Sequence, residues 1–350
     1  MIVLHHTQGL FPWGEFARGN FFMQGVSFFF VLSGFILTHV YSARPTGTGR
    51  FLLTRAARLW PLHLTTLALV FLLLRPDSRQ FPGEGFFDPR VVLVANVLLV
   101  HALVPFQTYV FSWNAPSWSI STEWFFYLMF PLLLPGLERN WFRKLAGFAA
   151  IIALFGLAAA VFDIPPTAPP EALGMMFLTY SSPFFRGFEF MLGMSTYVWW
   201  RRMERNPPGF GVSALAETGL CLVLLWWGLA GFDATAAAVA DVPILAQWHY
   251  SSAFSPICAL LILVVAAGRG PIGRGLSARP LVWLGEISFA LYMVHQILMK
   301  ALYLRALEGK MEPAGPLLVF PLCLAAAAAL HHLVEKPARA KILRRFGRLR

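Results

Sequence analysis

Long uncharged runs constrain this chain more than any other feature. Between Gly25 and His63 it reads GVSFFFVLSGFILTHVYSARPTGTGRFLLTRAARLWPLH. Two apolar runs flank a connection that carries Arg44, Arg50, Arg55 and Arg58 and no acidic residue. Runs of about 17–25 apolar residues are long enough to cross a bilayer as helices. Strands of a membrane barrel would alternate apolar and polar residues, and these runs do not. Only 13% of the 350 residues are charged and 57% are hydrophobic, whereas a soluble domain carries about 25% charged residues. Mean hydropathy is +0.63. The fold class is therefore an all-α, polytopic transmembrane helix bundle whose main partner is the lipid bilayer.

The net charge of +11 does not point to nucleic acid. Its cations sit in short connections and a tail between apolar spans, where they report topology and lipid contact. Cys221, Cys258 and Cys323 fall inside apolar runs and read as packing residues. Helices are expected at roughly 1–10, 20–40, 62–74, 91–105, 119–135, 145–162, 175–199, 215–231, 252–267, 281–300 and 315–334. Five segments (41–61, 136–144, 200–214, 268–280 and 335–350) hold 20 of the 28 lysines and arginines. If all five are cytoplasmic, neighbours must be separated by an even number of crossings. Between 61 and 136 there are three runs, one too many. The run 91–105 contains Asn96 and leads into the irregular HALVPFQTYVFSWNAPSW, so a re-entrant or interfacial segment is expected there, leaving about ten crossings. Residues 1–335 form one membrane domain, and 336–350 a basic cytoplasmic tail.

Charged groups in such spans are expensive, about 2.5–3.5 kcal/mol each at the bilayer centre, so each needs a reason. Glu123 could be a general base, a partner for an intramembrane arginine, or an edge residue reaching interfacial water. Arg55 and Arg58 are three apart, share one helical face, and can grip one anionic ligand or anchor the chain to anionic lipid. His5 and His6 are adjacent, about 100° apart on a helix, so at most one addresses a given site. Histidine is suited to moving a proton on and off a hydroxyl; the bland alternative is an interfacial ring bonded to water. Arg186 and Glu189 can pair across one turn. Ser288, Tyr292 and His295 fall at i, i+4 and i+7, a polar stripe facing the bundle. His331, His332, Glu335, Lys336 and Pro337 close the last helix, with the proline as a stop signal. There is no phosphate-binding glycine loop, no GxSxG and no metal-spaced cluster.

In order along the chain, these residues resemble the acyltransferase 3 family of integral membrane proteins. Leu4-His5-His6 is similar to its first-helix signature, and Gly25 to Phe35 to its second helix. Arg55 to Pro61 resembles its RxxR segment, and Trp118, Ser119, Glu123 and Tyr127 its WSLxxExxFY element. Arg186 to Gly193, Leu284 to His295 and Glu335-Lys336-Pro337 fit later landmarks. The family's basic residue about ten positions before the histidine has no counterpart in the five residues ahead of His6. The chain is expected to be a stand-alone form without a fused extracytoplasmic domain.

The resemblance implies transfer of an acyl group, often acetyl, from an acyl-CoA (acetyl-CoA) co-substrate to a hydroxyl of a carbohydrate or glycosylated product. No permanently bound cofactor and no metal are implied. His6 would be the base, Arg55 and Arg58 the donor clamp, and Glu123 the group that orients the site. Trp118, Ser119, Tyr127, Arg186, Glu189, Ser288, Tyr292 and His295 would bind substrate or hold the structure. The expected location is the bacterial inner membrane with the C-terminus in the cytoplasm. The alternative is a transporter of a small solute, against which stands the absence of an inverted repeat or matched broken helices.

Overall fold

The computed structural model of the chain describes residues 2–7, 22–43, 46–307 and 318–346; Arg44 and residues 8–10 of the first expected helix lie outside them. A single turn, α1 (Ile2–His5), precedes two long helices, α2 (Gly25–Ser42) and α3 (Thr48–Leu73). Short helices follow: α4 (Pro76–Arg79), α5 (Pro89–Val97) and α6 (Gln107–Phe111). Then come α7 (Ser117–Leu133), α8 (Leu137–Val161), the short α9 (Met175–Tyr180) and α10 (Pro183–Met203). Helix α11 (Phe210–Trp226) passes through a π-helical turn into α12 (Phe232–Val239). Helices α13 (Pro243–Ser252) and α14 (Ser255–Ala266) form one broken span, followed by α15 (Pro271–Leu276) and α16 (Arg279–Leu307). Last, α17 (Val319–Leu330) runs through the π-helical turn His331–Glu335 into α18 (Lys336–Phe346). No strand occurs among the described residues.

Seven described spans are long and apolar enough to cross a bilayer: Phe22–Ser42, Thr48–Leu73, Leu137–Val161, Phe210–Val239, Pro243–Ala266, Arg279–Leu307 and Val319–Phe346. Helix α8 is the most apolar of them and the least buried, so it faces lipid. Helices α7 and α10 carry more polar residues and sit inside. In lipid there is little hydrophobic drive between helices, so close backbone packing has to hold the bundle together. The tightest such contact joins α2 to α10. A Cβ at Gly34 would run into the carbonyl oxygen of Phe190, and one at Gly193 into that of Val31.

One expectation is corrected in the first third of the chain. Helix α3 opens at Thr48, not at residue 62, so Arg50, Arg55 and Arg58 are helical rather than part of a basic loop. Leucine, alanine and arginine are good helix formers, and they carry the helix straight through Pro61. The run 91–105 forms only α5, nine residues long and so about 13 Å, well short of the roughly 30 Å hydrocarbon core. A 3-10 turn, His101–Leu103, and α6 follow. Irregular backbone at this depth must have its polar groups satisfied by protein. Here the Asn96 carbonyl accepts from His63 Nε2 (2.9 Å), that of Val97 from Trp60 Nε1 (3.1 Å) and that of Leu99 from Ser121 Oγ (2.8 Å). The last bond pins Leu99, whose φ is 56°. With α5 too short to span the hydrocarbon core, α3 and α7 are left as the two long helices between the basic segments at 61 and 136.

The expected helix 175–199 is split at Ser181-Ser182 into α9 and α10, with Pro183 opening the second. The stop expected at Pro337 is absent. Proline is tolerated in the first turn of a helix, and the π-helical turn before it lets α18 continue to Phe346 and pack on α3.

Candidate active site

The residues singled out by sequence fall into two clusters and one structural pair. In the first cluster, α3 sets Arg55 and Arg58 one turn apart, and α7 presents Glu123 and Tyr127 at i, i+4. Glu123 Oε1 accepts from Tyr127 OH (2.5 Å) and from Ser33 Oγ on α2 (3.0 Å). Arg55 is buried, donates to Tyr41 OH at 3.3 Å, and lies over the rings of Tyr41 and Tyr127. Its Nε has no hydrogen-bond partner. Arg58 is half-buried. A cavity of about 100 Å³ is lined by Ser33, Arg55, Arg58, Glu123 and Tyr127 among others. Two guanidiniums and one carboxylate around the same cavity leave net positive charge there, which favours an anion.

A second space, about 490 Å³, opens on the other side of Arg58 as a vestibule. It is lined by Arg58, Glu286, His331, Glu335, Lys336 and Arg339, together with Val282 and Gly285. Four of its groups are already engaged in two pairs: His331 Nδ1 with Glu335 Oε2 at 2.8 Å, and Lys336 Nζ with Glu286 Oε2 at 3.4 Å. Arg339 Nε lacks a hydrogen-bond partner. Sequence reading assigned Lys336 and Arg339 to a lipid-binding tail. Only the continuation of the last helix past Pro337, a tertiary fact, brings them here.

The second cluster surrounds His6. His6 Nδ1 lies 2.7 Å from Nε2 of His295, which α16 carries in full burial. Tyr292 OH donates to the Pro116 carbonyl at 3.0 Å and meets Ser119 Oγ at 2.7 Å. Trp118 packs on Tyr180, with ring centroids 4.8 Å apart. His6 borders a cavity of about 340 Å³ whose other walls include Gln107, Trp118, Tyr180, Tyr250, Gln296 and Lys300. His5 borders the same cavity, against the expectation that only one of the two could. Helix α1 ends at His5, so the 100° helical offset does not govern His6 beyond it. Tyr180, Gln296 and Lys300 were not anticipated, because aromatic and polar residues in apolar runs have no local signature of cavity-facing.

His6 is not in the same cavity as Arg55, Arg58 and Glu123. A linking cavity of about 190 Å³ lies between the two clusters, sharing Ile2, Val26 and Tyr292 as walls with the histidine cavity and Phe29 and Arg58 with the arginine cavity. The order is the same along three helices. On α16, Glu286 borders the vestibule, Ser288 and Tyr292 the linking space, and Gln296 and Lys300 the histidine cavity. On α7, Tyr127 and Glu123 come first, then Ser119 and Trp118; on α2, Ser33 precedes Val26. From Glu286 to Lys300 is about 21 Å at 1.5 Å per residue.

Arg186 and Glu189 border none of these spaces. They form a fully buried ion pair at 3.2 Å. Arg186 also donates to the Ser251 carbonyl, to Ser252 Oγ (3.0 Å) and to Ser27 Oγ (3.4 Å). The pair thus ties α10 to α2 and α13.

The family model described as an acyltransferase domain, that of the acyltransferase 3 family, matches residues 1–332. Acyltransferase MdmB of Streptomyces mycarofaciens is 31% identical, over 91% of this chain and 81% of its own length. YrhL of Bacillus subtilis (strain 168), whose name gives peptidoglycan O-acetylation as a proposed activity, is 26% identical over 99% of this chain and 54% of its own. O-acetyltransferase OatA of Staphylococcus aureus (strain NCTC 8325 / PS 47) is 22% identical over 99% of this chain and 56% of its own. The chain therefore spans about half the length of the last two. No solved structure matches. With the family matched across nearly its whole length and seven described spans long and apolar enough to cross a bilayer, the chain belongs to the acyltransferase 3 family, as a multi-pass membrane O-acyltransferase.

Proposed function

We propose that the protein transfers an acyl group, acetyl in the first instance, from an acyl-coenzyme A donor to a hydroxyl of a carbohydrate or glycosylated acceptor. One observation carries this reading: a basic cluster and a cavity-facing imidazole stand at opposite ends of a row of neighbouring cavities that share wall residues. The donor's phosphates would be held at Arg58 and Arg55, with Lys336 and Arg339 across the vestibule, by charge-assisted hydrogen bonds. Glu123 would fix the two α3 guanidiniums between its own hydrogen bonds to Ser33 and Tyr127. The donor's long arm would run through the linking cavity, past Phe29, Ile120 and Phe289. Its thioester would then reach Tyr292 and His6. Trp118, Tyr180 and Tyr250 with Gln107 and Gln296 suit an acceptor that has apolar ring faces edged with hydroxyls. YrhL, with its name, supports a carbohydrate acceptor.

In the reaction, the His6 imidazole takes the proton of the attacking hydroxyl as its oxygen bonds the thioester carbon. Collapse of the tetrahedral intermediate breaks the carbon–sulfur bond, and the imidazolium returns the proton to the departing thiolate. The products are an ester and a free thiol. With the basic helix ends on the cytoplasmic side, the donor enters from the cytoplasm. The C-terminus then lies in the cytoplasm, as for a protein of the bacterial inner membrane.

The test is incubation of membranes with labelled acetyl-coenzyme A, followed by mass analysis of the products. His6→Ala and Arg55→Ala are each expected to abolish transfer at unchanged protein level. Full activity in both ends the proposal.

A further inference from the structure

His295 lies behind His6, away from the cavity. It is fully buried, borders none of the histidine cavity, and sits 289 residues from its partner. Its Nδ1 is 2.7 Å from the Tyr292 carbonyl oxygen and 3.2 Å from that of Leu291. Carbonyl oxygens only accept, so Nδ1 carries a hydrogen. A doubly protonated ring buried without a carboxylate partner is strongly disfavoured. In the neutral ring the other nitrogen is then an acceptor, so Nε2 holds a lone pair. The group 2.7 Å from that lone pair is His6 Nδ1, which must be the donor. Ring geometry agrees. The centroids are 5.0 Å apart and the planes differ by 23°, as expected when both nitrogens lie on the line between ring centres and the bond is in plane.

We propose that His295 is a positioning residue for His6. By accepting from Nδ1–H it fixes the tautomer in which Nε2 is the only basic nitrogen of His6. This inference rests on His6 being the base, and supplies what that role needs: one defined lone pair on a ring that cannot turn. Which nitrogen of a histidine is basic is set by the hydrogen bond that the other one makes. Here the chain of bonds starts at a main-chain carbonyl of α16, whose position is itself held. Tyr292 OH donates to the Pro116 carbonyl, and Asn114 Nδ2 to that of Met293 at 3.0 Å.

Two amide variants separate positioning from packing. In His295→Gln the side-chain oxygen can reach the place of Nε2 and accept from His6. In His295→Asn the shorter amide reaches only the place of Nδ1; it keeps the bond to Tyr292 and loses the one to His6. With the full chain in lipid nanodiscs and acetyl-coenzyme A as donor, His295→Gln is expected to keep kcat within about tenfold of the parent. His295→Asn is expected to lose about 100- to 1,000-fold in kcat with donor KM unchanged, less than the roughly 10⁴-fold seen when a charged tautomer-fixing partner is neutralised in a catalytic triad. Equal kcat in the two variants, or a loss that appears in donor KM, overturns the inference. A dead His6→Ala beside an unimpaired His295→Asn sinks this inference alone. An active His6→Ala sinks the base reading, and this inference with it.

Discussion

The Arg186–Glu189 pair offers the sharpest division between holding the bundle and doing its chemistry. The two side chains are 1% and 0% exposed. Glu189→Leu would therefore leave a buried guanidinium with no opposite charge, a change that costs about 3–5 kcal/mol. At roughly 2 °C per kcal/mol for a large domain, the melting temperature should fall by about 6–10 °C. The double variant Arg186→Met/Glu189→Leu removes both charges, and replacing such pairs with apolar residues is often neutral. The Ser251 carbonyl would still accept from Ser27 Oγ at 2.9 Å, so the arginine's donation is lost only at Ser252 Oγ and, over a long 3.4 Å, at Ser27 Oγ. That leaves a residual loss of about 1 kcal/mol. Melting would be followed by size-exclusion chromatography of heated, detergent-solubilised protein, and acyl transfer measured on the same membranes. Both stability and transfer should return together in the double variant. A double variant that melts like the parent but transfers nothing would refute the structural assignment, as would an unshifted Glu189→Leu.

Gly193→Ala should sharply reduce the folded, monodisperse fraction, because its Cβ meets the Val31 main chain and overpacking costs about 1–3 kcal/mol or more. Gly147→Ala on α8, where nothing lies within 4 Å, is the matched control and should leave that fraction unchanged. Arg339→Ala should raise donor KM about 10- to 100-fold with little effect on kcat, the worth of one charged hydrogen bond being about 1.5–3 kcal/mol; initial-rate kinetics against acetyl-coenzyme A would check it.

What could be read from the sequence is what depends on local repetition. Apolar runs gave the helical class, and the parity of basic segments pointed to one run too many before residue 136; the structure locates the irregular segment at 89–116. The i, i+4, i+7 spacing of Ser288, Tyr292 and His295 marked one face of α16, and Ser288 and Tyr292 do border the linking cavity. The start of α3 was missed because a proline and three arginines look like loop punctuation, although arginine is a good helix former. The rest depends on partners far apart in the chain. His63, Trp60 and Ser121 satisfy the carbonyls of Asn96, Val97 and Leu99, His295 meets His6, and Arg339 faces Arg58 across a vestibule. No periodicity encodes such meetings.

The glycine contacts between α2 and α10 divide the protein into a stiff side and a yielding one. With main chain against main chain at Gly34 and Gly193, that flank has no slack to widen or slide. On the proposed function, a bulky nucleotide entering beside Arg58 would have to find its clearance opposite, where Lys336 of the last helix meets Glu286 of α16 through side chains. Breathing confined to one wall would let the portal open while the floor beneath the reacting groups stays fixed.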